Sequence, residues 1–244
     1  MEYIGVDGCR DGWFWVGLSD SSGWRFGVCK DAKALGAVAV GSKLTLIDVP
    51  IGLKEAGPEE RLCDKEARRM LRGPRSSSVF RAPTRPAVLA KSYPEANVIN
   101  RRATGFGLSR QAWGIAQKIR EVDELLRVNH ALRKIIREAH PEVCFCSLND
   151  RQPMSHNKKQ TAGRCEREEL LARILPESSS IIESAVEAYR RNRVAWDDIL
   201  DALAAAATAK LGGASRLRTL PANPSSDACG LPMEMVFVEI RERN

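Results

Sequence analysis

Four short apolar runs fill the first fifty residues, and their order limits the possible folds more than any other feature of the sequence. The runs are Tyr3–Asp7, Trp13–Leu18, Trp24–Cys29 and Leu44–Val49. Residues 20–23 are typical of a hairpin turn between the second and third runs, and residues 31–40 have the composition of a short helix. The sequence therefore predicts three successive strands, a helix and a fourth strand, which is an α/β pattern.

The pattern changes after the fourth run. Five prolines and many arginines over residues 52–107 indicate an insertion made largely of loops, with a helical stretch near Arg61–Leu71. Apolar residues at helical spacing over 109–139 predict two helices, or one helix broken near Asn129. The remaining predictions are a strand at Glu142–Phe145, helices at Gly163–Leu175 and Trp196–Leu211, and a final strand at Met233–Ile240. We expect a single domain, residues 1–244, with an insertion at about 52–107.

Composition excludes several classes of protein. The chain is 43% hydrophobic and 28% charged, as soluble globular proteins are. Its longest purely apolar stretches are far shorter than the ~18 residues of a membrane span, and its first ten residues lack the features of a signal peptide. The seven cysteines show no paired spacing, so we expect neither disulfides nor a zinc knuckle, and most thiols reduced and buried. Cys144 and Cys146 would share one face of a strand in the core. We expect a cytoplasmic protein with no membrane partner.

The positive charge is concentrated in one segment. The formal net charge is +7, and residues 61–91 hold nine basic residues against Asp64 and Glu66, so the rest of the chain is balanced. The nine are Arg61, Lys65, Arg68, Arg69, Arg72, Arg75, Arg81, Arg85 and Lys91. Arginine outnumbers lysine, which favours phosphate as the partner because the guanidinium fork matches its oxygens. The segment is a candidate contact for a polyanion, and the alternative is a solvated face.

Acidic residues lie at the predicted strand ends. Asp7, Asp48 and Glu142 are on or next to apolar strands, while Asp198 and Asp201 share one face of the last predicted helix. An acid there costs free energy unless it is paired or binds a cation. Converging carboxylates favour Mg²⁺ or Mn²⁺, and two such ions ~3.5–4 Å apart activate a water and stabilise the leaving oxygen of a phosphodiester. The pattern predicts hydrolytic nuclease chemistry.

These residues resemble a known fold family. The opening strands with Asp7, the fourth strand with Asp48, and Asp198 to Ala204 on the last helix resemble the ribonuclease H-like superfamily, the helix being most similar to RuvC-type Holliday-junction resolvases. Six ordered motifs more narrowly resemble the DUF429 family of predicted nucleases: Gly5–Trp13, Ile47–Leu53, Arg61–Asp64 with Ala67 and Arg68, Ser77–Phe80, His140–Phe145 and Asp198–Ala202. The resemblance covers nearly the whole chain. It implies a five-stranded mixed sheet flanked by helices, with the basic loop-and-helix insertion after the fourth strand.

The resemblance also implies roles for individual residues. Asp7 would be the central metal ligand, Asp48 the fourth-strand acid, and Asp198 with Asp201 the helix ligands, for Mg²⁺ or Mn²⁺. Glu142 belongs to the family's His-Pro-Glu motif, and it would be a ligand, a water-positioning base or a clamp on Arg10. The residues expected to contact substrate are Arg10, Arg68, Arg75, Arg81, Arg85 and Lys158, or Lys159 in place of the last. His140 would shuttle protons or form structural hydrogen bonds, and we favour the second role.

Three functions fit this sequence. The first is a metal-dependent nuclease acting on DNA or RNA, alone or as a dimer. The second is a non-catalytic nucleic-acid-binding module of the same fold. The third is an actin- or sugar-kinase-like phosphotransferase, since the Gly-Val-Asp-Gly turn resembles the phosphate loop of those proteins; they duplicate the core, however, and this chain shows one copy. No P-loop, dinucleotide, serine-hydrolase or zincin motif is present.

Overall fold

A five-stranded mixed sheet forms the centre of the protein. The structure is a computed structural model that describes residues 2–189, 194–213 and 216–240. The strands are β1 (Glu2–Cys9), β2 (Gly12–Ser19), β3 (Trp24–Cys29), β4 (Ser42–Ile47) and β5 (Ile136–Glu138), in the order β3-β2-β1-β4-β5. The first three strands pair antiparallel, whereas β1–β4 and β4–β5 pair parallel. This arrangement is consistent with a ribonuclease H-like fold, and it confirms the four opening strands.

Helices cover both faces of the sheet. They are α1 (Ala32–Ala39), α2 (Leu62–Leu71), α3 (Arg85–Val88), α4 (Tyr93–Thr104), α5 (Arg110–Gly114), α6 (Ala116–Val128), α7 (Pro141–Leu148), α8 (Thr161–Ile174), α9 (Ser178–Ala188) and α10 (Trp196–Gly212). A second, antiparallel pair contains β6 (Leu217–Leu220) and β7 (Met235–Val238). The helices predicted near α1, α2, α8 and α10 and the strand predicted near β7 are confirmed, whereas α9 was not predicted. Among the described residues, no helix has the length and apolar character that crossing a membrane requires.

The fifth strand differs from the prediction. Residues 142–145 lie in helix α7, and β5 precedes them. Pro141 occupies the first turn of α7, where its missing N–H costs no hydrogen bond, and Nδ1 of His140 accepts the Glu142 N–H at 3.2 Å. Every residue of α7 is buried, so the sequence shows no amphipathic period there.

The change from strand to helix also separates the two cysteines. Cys144 packs with the α10 side of the core, whereas Cys146 packs with Cys63 and Phe237. Their common environment is therefore the core, as predicted, but they do not share one face. All seven cysteines are free thiols, and five of them are buried, as predicted.

Helix α10 lies directly on β1. A Cβ added to Gly5 would be 2.0 Å from the Ala202 carbonyl oxygen and 2.2 Å from the Ala206 nitrogen. Only glycine on the strand and small residues on the helix allow this approach. The alanine-rich helix therefore packs closely on the sheet, as its composition predicts.

The insertion at about 52–107 is more helical than predicted. Besides the predicted α2 it contains α3 and α4, and α4 alone has twelve residues. Pro94, one of the prolines that suggested loops, lies in the first turn of α4 behind the Ser92 N-cap. Arg85 ties the segment to the rest of the fold through Asp123 at 2.9 Å and through Asp227.

A carboxylate cluster at the ends of two parallel strands

Asp7 and Asp48 lie at the carboxyl ends of two neighbouring parallel strands. Val6 is the register partner of Ile47, and the Asp48 N–H donates to the Val6 carbonyl oxygen at 3.0 Å. Side chains alternate along a strand, so Asp7 shares a face with Gly5, and that face is covered by α10. Asp7 Oδ1 also accepts the Gly8 N–H at 2.7 Å. The strand register thus places both acids at one edge of the sheet.

Helix α10 brings Asp201 to the same edge. Ala205 and Ala206 lie over Gly5, and Asp201 lies one turn before Ala205. Two residues of strand rise about 6.6 Å, and four residues of helix rise about 6 Å. Asp201 is therefore level with Asp7, and Asp198 follows one turn further along the same helix face.

The electrostatics of these acids show that they interact. Burial raises the pKa of Asp7 well above its ordinary value, and Asp48, Asp201 and Asp198 raise it further, in that order. Burial also raises the pKa of Asp201 to about 6 and that of Asp198 to about 6. The structure brings together all four acids that the sequence predicts as metal ligands, and we call Asp7, Asp48, Asp198 and Asp201 the carboxylate cluster.

Lys158 is the counter-ion of the cluster. Its Nζ lies 2.6 Å from Asp201 Oδ2 and 3.8 Å from Asp197 Oδ2. Asp201 and Asp7 raise the pKa of Lys158 above its ordinary value and outweigh its burial. The loop that carries Lys158 is fixed by Glu166, which accepts the Ser155 N–H at 2.7 Å and the His156 N–H at 3.0 Å.

Glu142 faces the pocket next to this cluster. Its Oε1 accepts a hydrogen bond from Arg167 Nη2 at 2.5 Å, whereas Oε2 is buried and has no hydrogen-bond partner among the described residues. Glu142 raises the pKa of Asp201, which places it in the same electrostatic neighbourhood. The predicted clamp on Arg10 is wrong: Arg10 is exposed in the turn after β1, and Arg167 holds Glu142.

Sequence reasoning missed Arg167, although one signal exists. Arg167 is fully buried and also donates to the Gly163 carbonyl oxygen at 2.8 Å and the His156 carbonyl oxygen at 3.2 Å. It lies four residues after Gly163 and four before Leu171, both of them buried. A charged residue on the apolar face of a helix indicates a buried ionic partner.

His140 has a structural arrangement. Its Nδ1 caps helix α7 by accepting the Glu142 N–H, and Nε2 lies 3.4 Å from the Ser78 carbonyl oxygen. These contacts match a neutral ring with the proton on Nε2. The predicted preference for a hydrogen-bonded histidine agrees with this geometry.

A second set of acids was not predicted. Atoms of Cys63, Asp64 and Glu138 lie within 4.8 Å of one another, which is a spacing that could hold a metal ion. The guanidinium of Arg61 already supplies the positive charge, at 2.6 Å from Asp64 and 2.8 Å from Glu138. Burial raises the pKa of Glu138 to about 7 despite Arg61. We therefore interpret this set as a structural ion pair network.

Most of the predicted phosphate-binding arginines have protein partners. Arg61 and Arg85 are 3% and 4% exposed, which corrects their assignment to a surface that contacts a polyanion. Arg68 donates to Glu60 and to the Val79 carbonyl oxygen, and Arg81 donates to Pro58 and stacks on Phe106. These partners were invisible in the sequence because they are distant along the chain or lie in irregular loops.

A pocket of about 370 Å³ opens beside the cluster. Asp7, Asp48 and Glu142 line it, together with Lys158 and Arg75. Lys118, which the sequence analysis did not single out, also lines the pocket. Its ammonium lies 4.6 Å from the centre of the Trp13 ring, and its stem crosses Gly8, where an added Cβ would be 2.8 Å from Lys118 Cδ. The pocket therefore combines carboxylates with positive side chains.

The comparisons with known proteins name a family without assigning a function. A family model described as "Protein of unknown function (DUF429)" matches residues 5–226 of the 244-residue chain. No curated protein and no solved structure matches. The matched residues include the second half of β1 with Asp7, the insertion and all of α10. The chain belongs to the DUF429 family.

Proposed function

We propose that this protein is a divalent-metal-dependent hydrolase of phosphodiester bonds, a nuclease. One observation carries the proposal: Asp7, Asp48 and Asp201 converge beside a buried Glu142 oxygen that has no hydrogen-bond partner among the described residues. An unpaired buried carboxylate oxygen costs free energy unless a cation or a donor satisfies it.

The donor set fits Mg²⁺ or Mn²⁺. It consists of carboxylate oxygens, which these hard cations prefer over the nitrogen and sulfur ligands typical of zinc. Asp7, Asp48 and Asp201 would hold the ions, with Asp198 and Glu142 at the margins of the site. Bound there, such ions activate water and stabilise a leaving oxygen.

The chain's own side chains supply orientation and charge. Arg167 fixes the direction of Glu142, and His140 fixes the helix turn from which Glu142 projects. Arg75 and Lys118 line the pocket with positive charge, which favours a phosphate group beside the acids. Nucleic acid is the proposed partner. The free thiols of all seven cysteines support the cytoplasm as the compartment.

Calorimetric titration with Mn²⁺ and a cleavage assay test the proposal together. The assay uses labelled single strands, duplexes, RNA–DNA hybrids and branched junctions. We expect wild type to bind Mn²⁺ and to cut at least one substrate, and Asp7→Asn to lose both properties. Asp20→Asn is the matched control, because Asp20 is exposed at the opposite end of β1 from Asp7. A wild-type protein that binds no ion and cuts nothing would refute the proposal.

One observation favours the second candidate function, a non-catalytic nucleic-acid-binding module. Lys158 already neutralises Asp201 at 2.6 Å, so part of the cluster is satisfied without an ion. A binding module would retain its affinity for nucleic acid in EDTA and in Asp7→Asn. A wild-type protein that binds nucleic acid in EDTA and cleaves no substrate in Mn²⁺ would support this alternative.

A further inference from the structure

The pocket beside the carboxylate cluster is small. Its volume of about 370 Å³ lies near the lower end of the ~300–1,000 Å³ typical of pockets for small organic ligands. It can enclose one small molecule or one unit of a polymer. A double helix would have to remain outside it.

Positive side chains in the pocket have donors to spare. Arg75 is half-buried, and its guanidinium makes a long hydrogen bond, 3.4 Å from Nη1 to the His156 carbonyl oxygen. Lys118 donates to the Gly12 carbonyl oxygen, which uses one of its three protons. Both side chains line the same pocket as Asp7. A phosphate group in this pocket would be attracted both by these cations and by ions held by the acids.

Another wall of the pocket is apolar. Phe80 and Ile115 line it, and both are half-buried. Phe80 packs against a small cluster formed by Ala96, Leu108 and Ala112, so its ring is supported from outside the pocket. Phosphate and sugar do not need an apolar wall. A nucleobase does, because it stacks on aromatic rings.

Three arginines of the basic segment are engaged in ion pairs and are therefore less available to a long duplex. Duplex binding depends on many phosphate contacts spread along the backbone. Arg61 and Arg85 are buried in ion pairs, and Arg68 is paired with Glu60. The charge that remains beside the acids is local, as a single phosphate requires.

We infer that the pocket binds one unpaired nucleotide unit, with its phosphate at Arg75 and Lys118 and its base against Phe80 and Ile115. The inference rests on the proposed function for the hydrolysis of the phosphoester. The unit comes either from a free nucleotide or from an unpaired position in a strand, and the two sources share a phosphate ester that carries an aromatic base.

Equilibrium binding in Mn²⁺ and in EDTA tests this inference without measuring activity. The probes are AMP, ribose 5-phosphate and inorganic phosphate by calorimetry, followed by competition with a single-stranded oligonucleotide and with a relaxed, covalently closed plasmid duplex. We expect AMP to bind more tightly than ribose 5-phosphate. Phe80→Ala should weaken AMP binding about 5- to 140-fold, the range found for base stacking, and leave phosphate binding unchanged. Arg75→Ala should weaken all three.

Two matched variants control for general effects. Phe106→Ala removes an exposed phenylalanine that does not line the pocket, and Arg69→Ala removes an exposed arginine on α2. Neither should change AMP binding. If Phe80→Ala fails to fold, Phe80→Leu and Ile115→Ala make the same comparison, with thermal unfolding as the check.

The outcomes separate the inference from the proposed function. Equal affinity for AMP and ribose 5-phosphate, or equally strong competition by the closed duplex and the single strand, would overturn the inference. AMP binding without cleavage of any substrate would support it and refute the hydrolase. Cleavage of closed duplex that is unaffected by Phe80→Ala would support the hydrolase and refute the inference. If the single strand displaces AMP and the closed duplex does not, an unpaired position in a strand is the source of the unit. If AMP binds and the single strand does not displace it, the source is the free nucleotide.

Discussion

The ammonium of Lys158 lies 2.6 Å from the carboxylate of Asp201, at the centre of the acids expected to bind a metal. Asp201 is almost fully buried, whereas about a third of the Lys158 side chain is exposed. The pair therefore joins a partly exposed side chain from a loop to a buried one on α10. Removal of the Lys158 ammonium should therefore leave mainly Asp201 without a counter-ion.

Lys158→Met should destabilise the metal-free protein. Loss of one partner of a fully buried pair costs about 3–5 kcal/mol; solvent at Lys158 reduces this, and we expect about 1–2 kcal/mol. Urea unfolding in EDTA measures the loss, and Mn²⁺ should restore part of it. Lys159→Met, at the exposed neighbouring position, is the control. Equal stability of Lys158→Met and wild type in EDTA would contradict the prediction.

Asp7→Asn should stabilise the metal-free protein at neutral pH. The folded-state pKa of Asp7 is raised by burial and by its acidic neighbours, so its contribution to stability is full below the ordinary pKa of 3.8 and is lost as the pH rises through the folded-state value. Asparagine does not ionise, so the Asp7→Asn variant keeps this stability as the pH rises. Unfolding in EDTA from pH 4 to pH 7 should show an advantage for the variant that grows with pH.

Asp20→Asn is the control for the pH series, because the sign is opposite. Lys43 lowers the pKa of Asp20, so its contribution is present above the ordinary pKa and is lost as the pH falls. The variant should therefore gain nothing over wild type as the pH rises. An Asp7→Asn protein that is less stable than wild type at pH 7 would argue against a strained cluster.

Gly5→Ala should strongly destabilise the fold. The new Cβ would overlap the backbone of α10 at Ala202 and Ala206, which cannot yield as a flexible side chain can. Overpacking of this kind costs about 1–3 kcal/mol or more. Gly41→Ala is the matched control, because a Cβ there meets no atom within 4 Å. Thermal unfolding that ranks the two variants equally would contradict the close packing of α10 on β1.

Arg167→Met should cost about 3–5 kcal/mol, because it leaves Glu142 charged and buried without a partner. The double variant Glu142→Gln with Arg167→Met should recover part of the loss. Arg173→Met, on an exposed position of α8, is the control. Urea unfolding of wild type, Glu142→Gln, Arg167→Met and the double variant measures the coupling; purely additive effects would count against the ion pair.

The sequence predicted the cluster because strand alternation and helical spacing are local properties. Asp7 and Asp48 end apolar strands, and Asp198 and Asp201 share a helix face, so the two periodicities group the acids in two pairs. The resemblance to ribonuclease H-like proteins then predicts that the two pairs meet. The fold of the opening 50 residues follows from the same rules.

Other features could not be predicted in this way. The residues of α7 are buried all round, so neither period distinguishes helix from strand. The partners of Arg85 and Arg61 lie up to 142 residues away in the chain. Their burial depends on tertiary contacts that no local pattern records, and the basic segment therefore resembled a solvent-facing surface.

Arg167 connects helix α7, which carries Glu142, to the loop that carries Lys158. The same guanidinium holds the Glu142 carboxylate on α7 and the His156 carbonyl in the loop two residues before Lys158. Any ligand that draws Glu142 toward it must also pull on that loop. The position of the acid that borders the metal site is thereby linked, through one buried side chain, to the loop that supplies the lysine counter-ion.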